Sequence, residues 1–254
     1  MTFDFSGKNI VITGGTRGIG RAASELFAAS GGNVILTYRS DAETAGQTLR
    51  GLTGEGHQIY QLDVSDPGAI QNFFNWYSER FDKLDVLVNN AGIYLEHKIL
   101  ETDFENWQKN WEETIKANLN GPANMCFFAA GLMARNKHGK IINISSRGAF
   151  RGEPDHPGYG ASKAGLNAMS QSLAIALAPS GISVHIIAPG FVETEMAASA
   201  LRGEPGVAIK RQSPFGRVAK PEEVARLIAV YASDGLEFTS AGIVDINGAS
   251  YLRS

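Results

Sequence analysis

The 254-residue chain is predicted to fold as a doubly wound α/β domain, a parallel seven-stranded sheet with helices on both faces. Three observations predict this fold class. Short apolar runs typical of buried strands recur along the chain, helical segments fill most intervals between them, and a glycine-rich turn joins the first run to the first helix. No repeat, low-complexity tract or linker divides the chain. We therefore expect a single domain over residues 1–254, with a substrate lid at approximately residues 190–217.

The strand-like runs are followed at their carboxyl ends by polar residues and glycines. They cover residues 10–13, 34–38, 58–62, 86–89, 140–144, 183–187 and 242–246. Ligands of an open parallel sheet bind beyond the carboxyl ends of its strands. Because the polar motifs of this chain follow these strands, we expect them to share one site at that edge of the sheet.

A glycine-rich turn follows the first strand and reads Gly-Gly-Thr-Arg-Gly-Ile-Gly over residues 14–20. A strand, a glycine turn and a helix form the context of a Rossmann-type dinucleotide fingerprint. In that fingerprint the backbone approaches the pyrophosphate, and free N–H groups at the helix start meet its charge. A plain strand-to-helix turn is the alternative, and the second apolar strand at βαβ distance argues against it. The predicted cofactor contacts in this turn are Gly14, Thr16, Arg17, Gly18, Ile19 and Gly20.

The end of the second strand indicates which nicotinamide cofactor fits. An NAD site usually places an acidic residue there, to bind the adenine-ribose hydroxyls. This chain has Arg39 and Ser40 instead, with Arg17 in the glycine turn. Two guanidinium groups and a hydroxyl suit a 2′-phosphate, so NADP is predicted. The alternatives are that both arginines are ordinary solvated residues, and that the nearby Asp41 permits NAD.

Tyr159 and Lys163 are four residues apart, which places them on one face of a helix, a turn apart. An ammonium group that close stabilises a phenolate, so a tyrosine whose ordinary pKa is about 10 can act as an acid or base near neutral pH. The Ser146 hydroxyl is available to hold the oxygen that gains or loses the proton. A lone Tyr-x-x-x-Lys is weak evidence, because a surface tyrosine and a solvated lysine produce the same pattern. The glycine turn makes the catalytic interpretation the stronger one.

Further motifs follow the other strands in order. They are Asp63-Val64, Asn89-Asn90-Ala91-Gly92, Asn118 within Asn-Leu-Asn-Gly, and Pro189-Gly190-x-Val192-x-Thr194. With these motifs, the glycine turn and the Tyr-x-x-x-Lys pair, the chain resembles the short-chain dehydrogenase/reductase family in its compact single-domain form. The resemblance covers nearly the whole chain. No single motif is specific, but their common order and spacing are.

The resemblance implies a role for each matching residue. Tyr159 is expected to donate or accept the proton and to contact the cofactor. Lys163 is expected to lower the pKa of Tyr159 and to bind the nicotinamide ribose. Ser146 is expected to hold the substrate carbonyl, and Asn118 to support a water that links Lys163 to solvent. Asn89 is expected to tie neighbouring strands together. The remaining cofactor contacts are Asp63 and Val64 at the adenine, Asn90 and Gly92 near its ribose, and Val192 and Thr194 near the nicotinamide amide.

Composition restricts the class of partner. A net charge of −3 and a pI near 6.0 give no electrostatic footprint for nucleic acid. The N-terminus lacks a signal pattern and no apolar run approaches membrane-spanning length, so a cytoplasmic protein without a membrane partner is expected. The five histidines have no metal-ligand spacing, and no metal is predicted. The single cysteine, Cys126, fits a reducing compartment, and we expect its thiol to be buried.

Two helical segments predict subunit contacts. Residues 125–134 are apolar on all sides, and the helix of Tyr159 is rich in alanine, glycine and serine. A helix that is apolar all round needs cover on the side that the sheet does not reach. We expect both helices to pack against a second subunit, as the resemblance also implies. The C-terminal strand and tail, residues 243–254, would form a second interface and give a homotetramer.

The function predicted from the sequence is oxidoreduction, in which a hydride passes between NADP(H) and a carbonyl or secondary alcohol while Tyr159 acts as general acid or base. Alternatives are a non-catalytic dinucleotide-binding sensor or scaffold, an NAD-dependent sugar or polyol dehydrogenase, and a 3-oxoacyl-carrier reductase. Ala176 and Ser180 replace the charged pair that carrier-dependent relatives often show, although Lys137 remains. The polar loop after Ser146 favours a small hydroxylated or keto substrate over a steroid.

Overall fold

The computed structural model describes residues 2–253, and within them one seven-stranded sheet in which every strand pairing is parallel. The strand order is β3-β2-β1-β4-β5-β6-β7, which changes direction between β1 and β4. The strands are β1 (Asn9–Ile12), β2 (Asn33–Tyr38), β3 (Gln58–Gln61), β4 (Val86–Asn89), β5 (Gly139–Ile144), β6 (Ile182–Pro189) and β7 (Ile243–Ile246). The predicted fold class is confirmed, and predicted and observed strand ends differ by at most two residues.

Helices cover both faces of this sheet. They are α1 (Gly18–Ala29), α2 (Ala42–Gly51), α3 (Pro67–Ser78), α4 (Phe104–Ile115), α5 (Gly121–Arg135), α6 (Pro157–Leu177), α7 (Gly203–Arg211) and α8 (Pro221–Ala232). A π-helical turn, Lys116–Asn120, joins α4 to α5. In the part of the chain that the structure describes, no helix combines the length and the apolar character needed to span a bilayer.

Alternation along the strands builds two cores, one on each face of the sheet. In β1, Ile10 and Ile12 pack with α1 and α8, while Val11 points to the opposite face with α3 and α5. All three side chains are fully buried. Strands buried on both faces need continuous apolar sequence, which is why β1 is recognisable from its residues alone. Full burial of each such side chain contributes roughly 1.5–3 kcal/mol.

The helices that follow the strands begin in different ways. Asp41, Asp66 and Asp103 cap α2, α3 and α4, each accepting a backbone N–H at 2.8 to 2.9 Å. By contrast, α1 has Arg17 at its cap position and no side-chain cap. The N–H groups of its first turn are therefore left for another acceptor. This uncapped end lies at the glycine turn, at the carboxyl edge of the sheet.

The segment after β6 contains a short turn, Glu195–Ala197, and α7. Backbone hydrogen bonds join the two ends of this segment. They run from Glu193 N–H to the Ala219 carbonyl (2.9 Å) and from Ala219 N–H to the Phe191 carbonyl (3.0 Å). The lid at residues 190–217 and the single-domain boundaries stay predictions. Residues 1 and 254 of that predicted domain lie outside the described residues.

Cys126 lies on the inner face of α5 and is buried, as predicted. Its sulfur accepts a hydrogen bond from the Asn89 amide at 3.3 Å, and the same amide donates to Asn143 Oδ1 at 2.9 Å. Burial raises the pKa of the Cys126 thiol to about 12, so the thiol stays protonated. Asn89 therefore ties β4 to β5, as expected from the sequence.

Candidate active site

The structure brings the four predicted catalytic residues together at the carboxyl edge of the sheet. Ser146 follows β5, Tyr159 and Lys163 lie on the first turns of α6, and Asn118 lies in the π-helical turn after α4. Gly92, in the loop after β4, lies beside two of them, Asn118 and Lys163. A Cβ added at Gly92 would lie 3.1 Å from Asn118 Oδ1 and 3.7 Å from Lys163 Nζ. Single π-helical turns such as Lys116–Asn120 are rare in proteins, and those that occur are frequently at functional sites.

Asn118 holds the loop after β4. Its Oδ1 accepts the Ile93 N–H at 2.8 Å, and its Nδ2 donates to the Ile93 carbonyl at 2.9 Å and to Ser162 Oγ at 3.3 Å. Asn118 is fully buried, so its amide orientation is determined by these partners. This pairing fixes the loop beside α6, where Lys163 lies.

Lys163 is 5% exposed, and its ammonium donates to the Ile144 carbonyl at 2.8 Å. Burial lowers the pKa of Lys163 to about 8, because the charged form loses water without gaining a carboxylate partner. Nζ lies 5.8 Å from the centre of the Tyr159 ring. The Lys163 ammonium is therefore close to the Tyr159 ring, and its lowered pKa allows it to release a proton near neutral pH.

The pKa of the Tyr159 phenol is raised above its ordinary value in the structure. Burial is the main cause, the nearby Ser146 hydroxyl lowers the pKa, and the carboxylate of Glu153 raises it. This differs from the sequence expectation, in which Lys163 lowers the pKa. The spacing of four residues predicts the shared helix face but not the burial or the third charge. At neutral pH the phenol is protonated, which suits a proton donor.

Ser146 and its neighbour Ser145 have different surroundings. Ser146 Oγ accepts the Gly148 N–H at 3.0 Å, which leaves its own O–H free to donate. Ser145 is buried and lies 3.5 Å from the Lys163 carbonyl. Ser146, whose hydroxyl interacts with Tyr159, is therefore the serine of the site, whereas the Ser145 hydroxyl faces the backbone of α6.

The glycine turn has backbone geometry that side chains would block. Gly14 and Gly18 have φ angles of +62° and +53°, which disfavour residues with a Cβ. A Cβ at Gly20 would lie 2.1 Å from the Gly14 carbonyl oxygen. The turn leads directly into the start of α1, whose first N–H groups have no side-chain cap. It fits the pyrophosphate of a dinucleotide. Thr16 is buried in the turn, and Ile19 is partly buried.

Arg39 and Ser40 are exposed at the end of β2, and Arg39 forms no ion pair with any residue from 2 to 253. Arg17 makes one exposed ion pair, 3.7 Å long, with Glu195. Both carboxylate oxygens of Asp41 are engaged by Thr44, at 2.9 Å and 2.7 Å. Asp41, the acidic residue that would permit NAD, therefore caps α2 with its carboxylate. The exposed guanidinium groups of Arg17 and Arg39 are accessible to a phosphate.

The remaining predicted cofactor contacts lie around the same crevice. Asp63 accepts two hydrogen bonds from Ser65, and Val64 beside it is buried. The Asn90 amide donates to the Thr13 and Gly14 carbonyls, each at 3.0 Å, so it ties β4 to the glycine turn. Val192 is buried, and a Cβ at Gly18 would lie 3.1 Å from Thr194 Cγ2. Their contacts with a cofactor stay predictions.

The chain is similar to known proteins in both sequence and fold. A family model described as enoyl-(acyl carrier protein) reductase matches residues 14–248. A solved short-chain dehydrogenase/reductase from Brucella melitensis, described as a glucose/ribitol dehydrogenase, is 31% identical with a TM-score of 0.90, and all of both chains is covered. The chain belongs to the short-chain dehydrogenase/reductase family.

Two curated relatives in this short-chain family carry one name, 3-oxoacyl-[acyl-carrier-protein] reductase FabG. The Escherichia coli protein is 34% identical over 249 residues, which cover 98% of this chain and 99% of the relative. The Aquifex aeolicus protein is 33% identical over 253 residues, covering 99% and 100%. The predicted NADP(H)-dependent oxidoreductase that acts on a carbonyl or secondary alcohol is confirmed by this membership.

Sequence reasoning missed two residues of the short-chain dehydrogenase site. Tyr94 stacks on His156 with ring centres 3.6 Å apart and meets Tyr159 edge-on at 4.7 Å. His97 is fully buried, and its Nε2 accepts the Gly158 N–H at 3.0 Å. The neutral ring then carries its proton on Nδ1, which lies 2.9 Å from the Leu95 carbonyl. Both residues follow β4 without a distinctive spacing, so no sequence signal identified them.

Proposed function

We propose that this short-chain dehydrogenase/reductase is an NADP(H)-dependent reductase of a small polar carbonyl compound, with Tyr159 as the proton donor. One observation carries the proposal. The partly buried, protonated phenol of Tyr159 lies beside the Ser146 hydroxyl, at the carboxyl edge of the sheet, where the glycine turn and the uncapped start of α1 also lie. Hydride transfer to a carbonyl needs a proton for the oxygen, and this arrangement supplies one.

The residues that would hold the cofactor fit a phosphorylated dinucleotide. The glycine turn and the first turn of α1 would hold the pyrophosphate, and Arg17, Arg39 and Ser40 the 2′-phosphate. NADPH, when bound, supplies the hydride. Asp63, Val64, Asn90 and Gly92 would line the adenosine half, and Lys163, Val192 and Thr194 the nicotinamide half.

The protein's own groups then handle the substrate oxygen and its proton. The Ser146 hydroxyl donates a hydrogen bond to the carbonyl oxygen and stabilises the negative charge that develops on it. Tyr159 delivers its proton to that oxygen, which becomes the alcohol. The Lys163 ammonium, with a pKa of about 8, returns a proton to the Tyr159 phenolate. Asn118, at the base of the site, would support the water that connects Lys163 to solvent.

The test is a panel of carbonyl compounds assayed by the loss of NADPH absorbance, with NADH in parallel. We expect turnover of small hydroxylated ketones or aldehydes and a clear preference for NADPH. The panel includes ketoses, oxo acids, simple ketones and 3-oxoacyl thioesters. A protein that binds NADPH tightly but oxidises it with no member of the panel would contradict the proposal and favour a sensor.

A second candidate is 3-oxoacyl-carrier reduction, which the names of the curated relatives favour. An acidic carrier protein would need a basic docking surface. Arg135 and Lys137 are exposed at the end of α5 and could contribute to one, whereas Ala176 on the outer face of α6 and the partly exposed Ser180 carry no charge. A 3-oxoacyl thioester that is turned over only when it is linked to the carrier protein would establish this activity. Equal rates with a short free thioester would indicate that no carrier is recognised.

We also propose a cytoplasmic homotetramer. On the outer face of α5, Phe127 is 75% exposed, and on α6 Ile175 is 79% exposed. The exposed positions Ala161, Ala164 and Ala168 make the face of α6 narrow enough for another helix to approach. Sedimentation equilibrium tests this assembly, and a monomer that persists on dilution would reject it. Ser254, in the proposed second interface, lies outside the described residues.

A further inference from the structure

Arg147 directly follows Ser146 and is the basic residue closest in sequence to the reacting groups. Its side chain is 5% exposed, yet no carboxylate of residues 2–253 lies within 4.0 Å of its nitrogens. A buried charge without a counter-ion is destabilising, and proteins seldom keep one without a function. The role proposed for Tyr159 does not use this guanidinium.

Two groups fix the position of Arg147 at the carboxyl edge of the sheet. Its Nη1 donates to Ser250 Oγ at 2.7 Å, and its guanidinium carbon lies 5.0 Å from the centre of the Phe191 ring. Ser250 itself packs against the turn after β6, because a Cβ at Gly190 would lie 3.4 Å from its hydroxyl. The guanidinium is therefore held between the loops that follow β5, β6 and β7, against Phe191, which directly precedes the predicted nicotinamide contact Val192 in the sequence.

The charges around Arg147 leave an excess of positive charge in this part of the crevice. Burial and the like charge of Arg151 lower the pKa of Arg147, while Glu153 and Tyr94 raise it. Arg151 has no ion pair within the described chain either. Glu153 is the one carboxylate that acts on Arg147, but it lies beyond 4.0 Å and accepts a hydrogen bond from Tyr94 at 3.3 Å. Two guanidinium groups thus face one carboxylate that is already engaged.

We infer that Arg147 binds a carboxylate on the substrate, so that the natural substrate is an oxo acid or its hydroxy acid. A planar guanidinium matches a carboxylate with two parallel hydrogen bonds, and Nη1 already has Ser250 as a partner that holds the group in plane. The inference rests on the proposed reductase function and narrows its substrate class. A purely structural clamp between Ser250 and Phe191 is the competing role.

The experiment compares acids with their methyl esters. NADPH-dependent kcat/KM is measured for oxo acids of increasing length, with hydroxylated members, each paired with its ester. The proteins are the wild type, R147Q, R147K and S250A, with R226Q as a remote control because Arg226 is exposed on α8. We expect the wild type to prefer the acids. R147Q should lower kcat/KM on the acids by about 10- to 100-fold, the range for a lost charge-assisted hydrogen bond, and change the esters by less than about threefold.

The variants separate ligand binding from a structural clamp. S250A removes the clamp but keeps the charge, so it should retain the preference for acids, and R147K should retain part of it. Equal losses on acids and esters in R147Q, or no preference for acids in the wild type, would overturn the inference. Should R147Q fail to fold, the wild-type and S250A comparisons still decide.

A binding measurement keeps this inference separate from the catalytic proposal. The wild-type protein saturated with NADP⁺ is titrated calorimetrically with gluconate and with the neutral polyol glucitol. Tighter binding of gluconate that is lost in R147Q supports the inference even if the assays find no turnover. Equal affinity for the two compounds overturns it, whereas an absence of NADPH oxidation with every carbonyl contradicts only the proposed function.

Discussion

The carboxylate of Glu153 accepts a hydrogen bond from the Tyr94 hydroxyl at 3.3 Å, beside the phenol of Tyr159. This carboxylate is part of the polar loop after Ser146, and its charge raises the pKa of Tyr159 while Ser146 lowers it. Tyr94 also meets Tyr159 edge-on. Burial is the main cause of the raised pKa of Tyr159, and a residue outside the Ser-Tyr-Lys motif, Glu153, adds to it.

Replacing Glu153 by glutamine should move the pH profile of carbonyl reduction to lower pH. Reduction needs the protonated phenol, so its rate falls as pH rises through the pKa of Tyr159. Removing the negative charge lowers that pKa, and the falling limb of kcat/KM moves with it. The profile is measured with NADPH at saturating concentration. D155N is the matched control, since Asp155 is nearby but does not act on Tyr159. An unchanged limb in E153Q would show that Glu153 does not control the phenol.

Replacing Tyr159 by phenylalanine should lower kcat by about 10²- to 10⁴-fold, the usual contribution of a positioned general acid. The aromatic ring that packs against Tyr94 is retained, so NADPH affinity should stay close to normal. Steady-state assays give kcat, and quenching of protein fluorescence gives the affinity. Y94F serves as the control, because it removes a neighbouring hydroxyl and keeps Tyr159. Turnover in Y159F close to that of Y94F would refute the proposed role.

Replacing Arg39 by glutamine should weaken NADPH binding by about 10- to 100-fold and leave NADH binding unchanged, since only NADPH carries the 2′-phosphate. The expectation rests on the exposed guanidinium of Arg39, which has no ion pair in the chain as described, and on the commitment of Asp41 to Thr44. Equilibrium titration with each cofactor measures the effect. R21Q is the control, because Arg21 is paired with Glu25 on the same side of the domain. A similar loss of affinity for NADPH and NADH in R39Q would show that Arg39 does not bind the 2′-phosphate.

Much of the fold could be predicted because its central strands, β1, β2, β4, β5 and β6, are buried on both faces. Residues such as Ile10 and Val11 had to be apolar whichever face they occupied, which makes each strand a short continuous signal. The glycine turn could be predicted for a similar reason, because Gly20 lies where no other residue fits. In both cases the local geometry allows only one class of residue, so the residue type itself predicts the structure.

The parts of the site that were missed depend on packing between distant segments. His97 and Tyr94 gain their positions only when the loop after β4 folds onto α6. The pKa of Tyr159 was predicted to fall because Lys163 is four residues away, whereas burial and Glu153 raise it. Helical spacing determines which side chains share a face, but it contains no information on solvent exclusion or on charges from another loop.

Replacing Gly20 by alanine should abolish tight cofactor binding and destabilise the protein, because the new Cβ would lie 2.1 Å from the Gly14 carbonyl oxygen and 2.6 Å from Asn90 Nδ2. Backbone must move to relieve that contact, and the moving segment is the glycine turn itself. Overpacking of this kind typically costs about 1–3 kcal/mol. Thermal unfolding with and without NADPH separates the two effects, since loss of binding removes the stabilisation by NADPH.

Gly51 provides the matched control for G20A. It ends α2, its φ is not positive, and a Cβ there would meet nothing within 4 Å. G51A should therefore bind NADPH normally and be unchanged or stabilised by up to about 1 kcal/mol, because alanine restricts the unfolded chain more than glycine does. If G20A had the same thermal stability and the same NADPH affinity as G51A, the turn would tolerate a side chain. The close approach of its backbone to a dinucleotide would then lose its structural basis.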